Sequence, residues 1–153
     1  MGASNPTDQV PLEYVIAIAD FRAALRRFVR HSDRVAERHG LTPQRYLLLL
    51  MIKGAPDGSE RLNVRAIAER LQLGDNTTTE LINRAEREGL VRRERSRDDA
   101  RVVNLRLTRE GEHRLYGVLV ELEGDRQELE QTMRSLTRSF RHSGRLQPQE
   151  SDV

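Results

Sequence analysis

The sequence has no cysteine, no tryptophan and a single lysine, Lys53. Without cysteine the chain has no disulfides, no thiolate zinc sites, no cysteine nucleophile and no thiol redox sensor. The 26 basic residues minus that one lysine leave 25 arginines. Arginine guanidinium groups match phosphates and guanine edges, but the codon bias of a GC-rich genome explains the same count. Where the arginines lie is therefore more informative than how many there are.

Long hydrophobic runs are also absent. The longest, Tyr46 to Ile52, is far too short to span a bilayer, and the first nine residues do not resemble a signal peptide. These features predict a soluble cytoplasmic protein with no membrane partner.

Motifs for catalysis and metal binding are missing too. No glycine-rich phosphate loop follows a strand, and no acid pair or nucleophile with a nearby base stands out, so we expect no enzyme activity. His31 and His39 lie eight residues apart without acidic partners at ligand spacing, so we expect no metal site. We also expect no resident cofactor.

The composition suggests where the apolar residues are buried. The chain has 153 residues, of which 37% are hydrophobic and 33% charged, and its net charge is only +2. This supplies one core but little apolar surface beyond it. We therefore expect some helices to bury their apolar faces against another chain.

Helical periodicity covers both ends of the chain. We predict a loose tail over residues 1–9, a long helical segment over 10–40 ended by Gly40, and a frayed tail over 143–153. Thr42 and Pro43 open a second helix, whose apolar run predicts the centre of the core. A last helical region over 109–142 is capped by Thr108, and Gly124 either kinks or divides it.

The middle of the chain has the pattern of a DNA-reading domain. Asn63 caps a third helix, and a fourth begins at Gly74 or Asp75 and ends at Gly89, which together make a helix-turn-helix. Two apolar-patterned segments, 90–95 and 101–107, follow as the strands of a hairpin. The predicted fold class is mainly α: a winged helix-turn-helix, with a small β-hairpin wing, flanked by N- and C-terminal helices.

The first turn of the fourth helix contains the candidate base readers Asn76, Thr77, Thr78 and Thr79. A helix N-terminus can seat a phosphate, and here we expect no acidic cap to oppose it. Asparagine pairs with adenine, and a threonine methyl contacts the thymine methyl, which predicts A·T pairs beneath this turn. The alternative is that these residues are only N-caps at a solvent edge.

Other charged and polar residues complete the candidate interface. Asn83 and Arg84 lie further along the fourth helix, where Arg84 either reaches a phosphate or braces the wing. The wing segment RRERSRDDAR contains five arginines and three acids, and is either a DNA-binding wing or a solvated hairpin tip. Asp99 is placed to brace the wing, and Arg97 or Arg101 to enter a narrow minor groove. Arg65 and Arg95 are candidate phosphate contacts.

These motifs resemble the multiple antibiotic resistance regulator family, MarR. The resemblance rests on LTPQRYLLLLMI, on the reader ending in EREGLV, on the wing residues Asp99-Ala100-Arg101, and on the strand exit LRLT before Gly111. It covers roughly Leu12 to Leu122. Ala100 departs from it, since the family often has a second arginine there.

The resemblance implies a homodimeric, sequence-specific repressor on a pseudo-palindromic double-stranded DNA operator. The helices of 10–40 and 109–142 would form the dimer, and 41–108 the DNA-binding domain, with its recognition helix in the major groove and Arg101 of the wing in the minor groove. Many members respond to a small aromatic or anionic effector, which a cleft lined by His31, His39, Arg45 and Tyr46 would hold. A winged-helix protein that binds another protein is the alternative.

Overall fold

The structure, a computed structural model, describes residues 10–142, and of His142 the backbone only. Its helices and strands are, in chain order, α1 Leu12–Arg38, α2 Pro43–Lys53, β1 Arg61–Asn63, α3 Val64–Leu71, α4 Asp75–Arg87, β2 Val91–Arg95, β3 Val103–Leu107, α5 Arg109–Glu121 and α6 Glu123–His142. The predicted tails, 1–9 and 143–153, lie outside the described residues.

Side-chain caps and left-handed glycines fix several helix ends where the sequence predicted them. Thr42, Asn63 and Thr108 each accept a hydrogen bond from a backbone N–H of the first turn of α2, α3 and α5. Gly40 and Gly89 adopt positive φ values of 72° and 71°, which favour glycine. These local signals set the helix boundaries around the reader.

The sheet has three antiparallel strands in the order β1-β3-β2. β2 and β3 form the predicted hairpin, in which Val91 pairs with Leu107 and Arg95 with Val103. β1 was not predicted, because three residues are too few to show the alternation of a strand. It pairs with β3 through Leu62 and Leu105 and connects the sheet directly to the start of α3.

The described residues divide into two compact units. The core unit comprises residues 32–122, and the helical unit comprises the described residues 10–31 and 123–142. The core unit extends beyond the expected 41–108 on both sides. The reason is packing: Val35 and Ala36 of α1, and Leu115 and Val118 of α5, are fully buried in its core.

The core lies beneath α2, as the apolar run predicted. Leu48, Leu49 and Ile52 are fully buried, together with Ile82 of α4 and Leu105 of β3. α3 and α4 followed by the β2–β3 hairpin make a winged helix-turn-helix, which confirms the predicted fold class. α5 and α6 are separate helices that meet at Leu122 and Glu123, one residue before Gly124.

Candidate nucleic-acid interface

The exposed face of α4 lies opposite the residues that the helix buries. Thr78, Leu81, Ile82 and Ala85 are its buried residues. At 100° per residue, the residues opposite them are spaced four, three and four apart along the helix. They are the exposed side chains of Asn76, Glu80, Asn83 and Arg87.

The first turn of α4 has no side-chain cap, but it contains one acidic residue. Gly74 is the N-cap and provides no side-chain hydrogen bond, so backbone N–H groups of this turn are available to a ligand. Asp75 lies exposed in the same turn. The N-cap is therefore not acidic, as expected, but a phosphate seated here would lie beside the carboxylate of Asp75.

Thr78 is not a base reader. It is fully buried, and its hydroxyl donates a hydrogen bond of 3.0 Å to the backbone carbonyl of Gly74. It lies three and four residues before Leu81 and Ile82, so it belongs to the inward stripe. Asn76, Thr77 and Thr79 are exposed, so their side chains remain accessible to a ligand.

Further along α4, charged side chains pair with one another. Arg84 forms an ion pair with Glu80 one turn earlier. It therefore braces its own helix rather than the wing. Glu80 and Arg87 were missed from the sequence, although their spacing relative to Asn76 would have identified them. A carboxylate on this face is a potential acceptor for the amino group of cytosine.

The wing tip is shaped by Asp99. Its carboxylate accepts a hydrogen bond of 2.9 Å from the backbone N–H of Arg101, and its carbonyl accepts one of 3.0 Å from Val102. The side chain thus fixes the turn through the backbone instead of pairing with the Arg101 guanidinium. That guanidinium remains exposed and available.

Three arginines of the wing present unpaired charge. Within the described residues, no ion pair or side-chain hydrogen bond occupies the guanidinium groups of Arg95, Arg97 and Arg101. All three are exposed. Arg65, on α3, is also exposed and is paired only with Glu69, at 3.3 Å in a solvated contact. Cations of this kind bind phosphate or a narrow minor groove.

Arg93 is a third residue that was not identified from the sequence. Its Nε donates to Glu86 at 3.0 Å, and its Nη2 donates to Asn83 at 2.8 Å. It joins β2 of the wing to α4. No local sequence signal marks this contact, because it depends on how the strand packs against the helix.

The residues expected to line an effector cleft are engaged in other contacts. Tyr46 is only 6% exposed and belongs to the core. The guanidinium of Arg45 pairs with Glu88 at 2.6 Å. His39 contacts Glu121 at 2.8 Å, and the pKa of that carboxyl is lowered by its hydrogen bonds from Arg38 and His39. In the helical unit, His31 lies 3.8 Å from Asp125.

Lys53 lies at the centre of an ion network at the base of the wing. Its ammonium donates to Glu112 at 2.6 Å, lies 2.9 Å from Glu60, and is 5.7 Å from the centre of the Tyr116 ring. Burial alone lowers the pKa of Lys53, but the hydrogen bonds to Glu112 and Glu60 outweigh it, so the pKa lies above its ordinary 10.5. The network ties α2 to α5 and to the segment preceding β1.

Two kinds of feature are absent from the described residues. Residues 10–142 contain no helix long and apolar enough to cross a membrane. They also contain no group of three or more histidine, aspartate or glutamate side chains placed to hold a metal ion.

Known proteins share this arrangement. A family model described as the MarR family matches residues 39–102. The organic hydroperoxide resistance transcriptional regulator of Bacillus subtilis (strain 168) is 30% identical over 107 residues, which are 70% of this chain and 69% of that regulator. The chain belongs to the MarR family.

Two further MarR-like relatives extend the comparison. The HTH-type transcriptional regulator TtmR of Methylorubrum extorquens (strain PA1) is 35% identical over 72% of this chain, but the match spans only 54% of that regulator's length. A MepR mutant of S. aureus, solved bound to an oligodeoxyribonucleotide, superposes with a TM-score of 0.61 at 22% identity over 80% of this chain and 94% of that one. This last likeness shows the shared fold.

Proposed function

We propose that the chain is a protomer of a homodimeric, sequence-specific DNA-binding transcriptional regulator. The observation that carries the proposal is the wing: Arg95, Arg97 and Arg101 expose guanidinium groups that have no ion-pair partner among residues 10–142, on the hairpin that follows α4. The major groove admits a helix such as α4, and a narrow minor groove attracts arginine. The names of the MarR-family relatives, and the oligonucleotide bound to the MepR neighbour, support the same reading.

Dimer formation is supported by the helical unit. Its exposed apolar side chains include Val15, Ile16, Val29, Met133 and Phe140. Monomeric soluble proteins rarely leave so many apolar side chains together in water. A second copy that covers them would also supply a second reader, which predicts a pseudo-palindromic operator.

Selection from a pool of random duplexes tests DNA binding. The protein should enrich a pseudo-palindromic sequence, and the logarithm of its binding constant should fall linearly with the logarithm of salt concentration. Arg101→Ala should reduce that slope by about 0.9 per lost phosphate contact. Arg92→Ala is the matched control, because Arg92 is an exposed arginine of the same hairpin that is paired with Glu94.

Base reading is tested separately with Asn76→Ala. One lost base contact should cost about 1–3 kcal/mol and relax the preference at one operator position. An unchanged operator preference in this variant would remove Asn76 from the interface. Binding of a protein partner without salt-dependent DNA binding would favour the alternative, a protein-interaction module.

We further propose repression that is relieved by a small aromatic or anionic effector. The support is the Arg45–Glu88 pair, which ties α2 to the C-terminal cap of α4. An organic acid that displaced Glu88 would release this end of the recognition helix. Peroxide sensing by a thiol is not available, because the chain has no cysteine. Adding a panel of aromatic acids to the DNA-binding assay tests this mechanism, and Arg45→Gln, which itself breaks the pair with Glu88, should bind DNA weakly with or without the acids.

A further inference from the structure

The register of the hairpin places Arg93 on the core side of the sheet. The side chains of Val91, Arg93 and Arg95 lie on the same face of β2, because successive side chains of a strand point to opposite faces. Val91 is buried, and Arg93 pairs across the sheet with the fully buried Leu105. An aliphatic residue would be expected at such a position. An arginine here extends over the edge of the core, and its guanidinium reaches α4.

The contact between Arg93 and α4 has a defined geometry. One edge of the guanidinium, formed by Nε and Nη2, spans two acceptors on successive turns of the helix: Glu86 at 3.0 Å and Asn83 at 2.8 Å. These acceptors are three residues apart and so lie on the same side of α4. The planar guanidinium makes both bonds in one orientation, which an ammonium would not reproduce.

The same bond orients the amide of Asn83. A guanidinium has donors only, so the oxygen of Asn83 must face Arg93. Its NH₂ group then points away, along the exposed face that also bears Asn76. Asn83 is therefore presented to DNA as a donor, which suits the N7 and O6 acceptors of guanine or the O4 of thymine.

We propose that Arg93 is a positioning residue for DNA recognition. It fixes the wing to α4, so that the Arg101 guanidinium and the α4 side chains meet the DNA in one register, and it sets the orientation of Asn83. This inference rests on the proposed function and identifies the contact that makes the wing and α4 bind DNA together.

Neighbouring arginines sharpen the assignment. Arg92 points to the other face of β2 and pairs with Glu94, within the same strand, at 2.8 Å. Arg84 pairs with Glu80 within α4. Neither contact joins the wing to the helix. Arg92→Met therefore removes one arginine charge from the hairpin without breaking that connection, and it is the matched control for Arg93→Met.

The test is a double-mutant cycle on the full-length protein with the duplex that it selects. Binding and its salt slope are measured for Arg93→Met, Arg101→Ala and the double variant. Arg93→Met should weaken binding about tenfold, as expected for the loss of one specific contact. Adding Arg101→Ala should then change little, because the wing has already lost its register. Multiplicative losses, or Arg93→Met behaving like Arg92→Met, would overturn the proposal.

A second variant keeps the test valid if Arg93→Met fails to fold. Glu86→Leu leaves the arginine in place and removes a carboxylate from the side of α4. Charge alone predicts tighter DNA binding, since repulsion from the phosphates is reduced. Loss of position predicts weaker binding, and tighter binding by Glu86→Leu would contradict the inference.

The two proposals can fail independently. If the wild-type protein shows no salt-dependent preference for any selected duplex, the proposed function and this inference fall together. If the wild-type protein has that preference and Arg93→Met retains it at full affinity, the inference alone is wrong. Thermal unfolding of each variant accompanies the binding data, and breaking an exposed pair of this kind should shift the unfolding temperature only slightly.

Discussion

The core unit and the helical unit differ in what happens to their apolar side chains. In the core unit, Leu48, Ile52, Ile82 and Leu105 are fully buried. In the helical unit, no described residue is buried, and α1 and α6 enclose a groove of about 580 Å³. Because apolar burial is the main source of stability, the core unit carries its own stability. The helical unit needs another surface to cover it.

Glycines provide the most severe test of this difference. A Cβ on Gly111 would lie 2.1 Å from the carbonyl oxygen of Leu90, whereas one on Gly124 would meet nothing within 4 Å. Gly111→Ala should therefore destabilise the fold by about 3 kcal/mol, the upper end for overpacking. Gly124→Ala, in the first turn of α6, should change stability far less and in the opposite direction, stabilising by up to about 1 kcal/mol. Denaturant unfolding measures both, and similar effects would contradict the contrast.

Charge placed on the apolar surface of the helical unit should break the proposed dimer. Ile16 is 51% exposed in the protomer. Ile16→Glu in both protomers should cost the dimer about 3 kcal/mol, roughly a hundredfold in its dissociation constant. Sedimentation at several concentrations measures this. Leu47→Glu, at a half-exposed site of the core unit, is the comparison, and a protein that stays dimeric with Ile16→Glu would contradict the assignment.

The Lys53 network should matter more than a solvated ion pair of the helical unit. The Lys53 side chain is only 16% exposed and serves two carboxylates, whereas Arg134 is 73% exposed and pairs with Glu130. Lys53→Met should destabilise by about 1–3 kcal/mol, because it leaves the partly buried carboxylate of Glu112 without its donor. Arg134→Met should change stability by less than about 0.5 kcal/mol. Equal losses would show that the network has no special weight.

The sequence was most predictive where the signal is local. Thr42, Asn63 and Thr108 are caps whose bonds reach three residues ahead, so their roles could be anticipated. The inward position of Thr78 could also have been predicted, since Thr78 lies three and four residues before Leu81 and Ile82. It was missed because all the polar residues of this first turn were assigned the same role.

Long-range packing limited the prediction of the candidate site. The bond between Arg93 and Asn83 depends on the register of β2 and on its packing against α4, and neither is written in the spacing of charges. Arg45 was predicted to bind an anion because its ion-pair partner, Glu88, lies 43 residues further along the sequence and could not be identified from spacing. Exposure and pairing decide which arginines can reach DNA, and both are properties of the fold.

The smallest expected effect is on the stability of the fold at acidic pH. The hydrogen bond from Lys53 holds the pKa of Glu60 below its ordinary 4.5. The hydrogen bonds from Arg126 and Gln127 lower the pKa of Glu123 in the helical unit. A carboxyl whose pKa is depressed on folding stabilises the fold above its unfolded pKa, and that contribution is lost as the pH falls through the folded value.

Glu60→Gln should therefore flatten the loss of stability between about pH 5 and about pH 3. Glu123→Gln should flatten it less, because the Arg126 side chain is 34% exposed against 16% for Lys53, and water screens its charge more. Free energies of unfolding at a series of pH values measure both slopes. A wild-type slope matched by Glu60→Gln would mean that the carboxylate of Glu60 contributes through its shape and not through its charge.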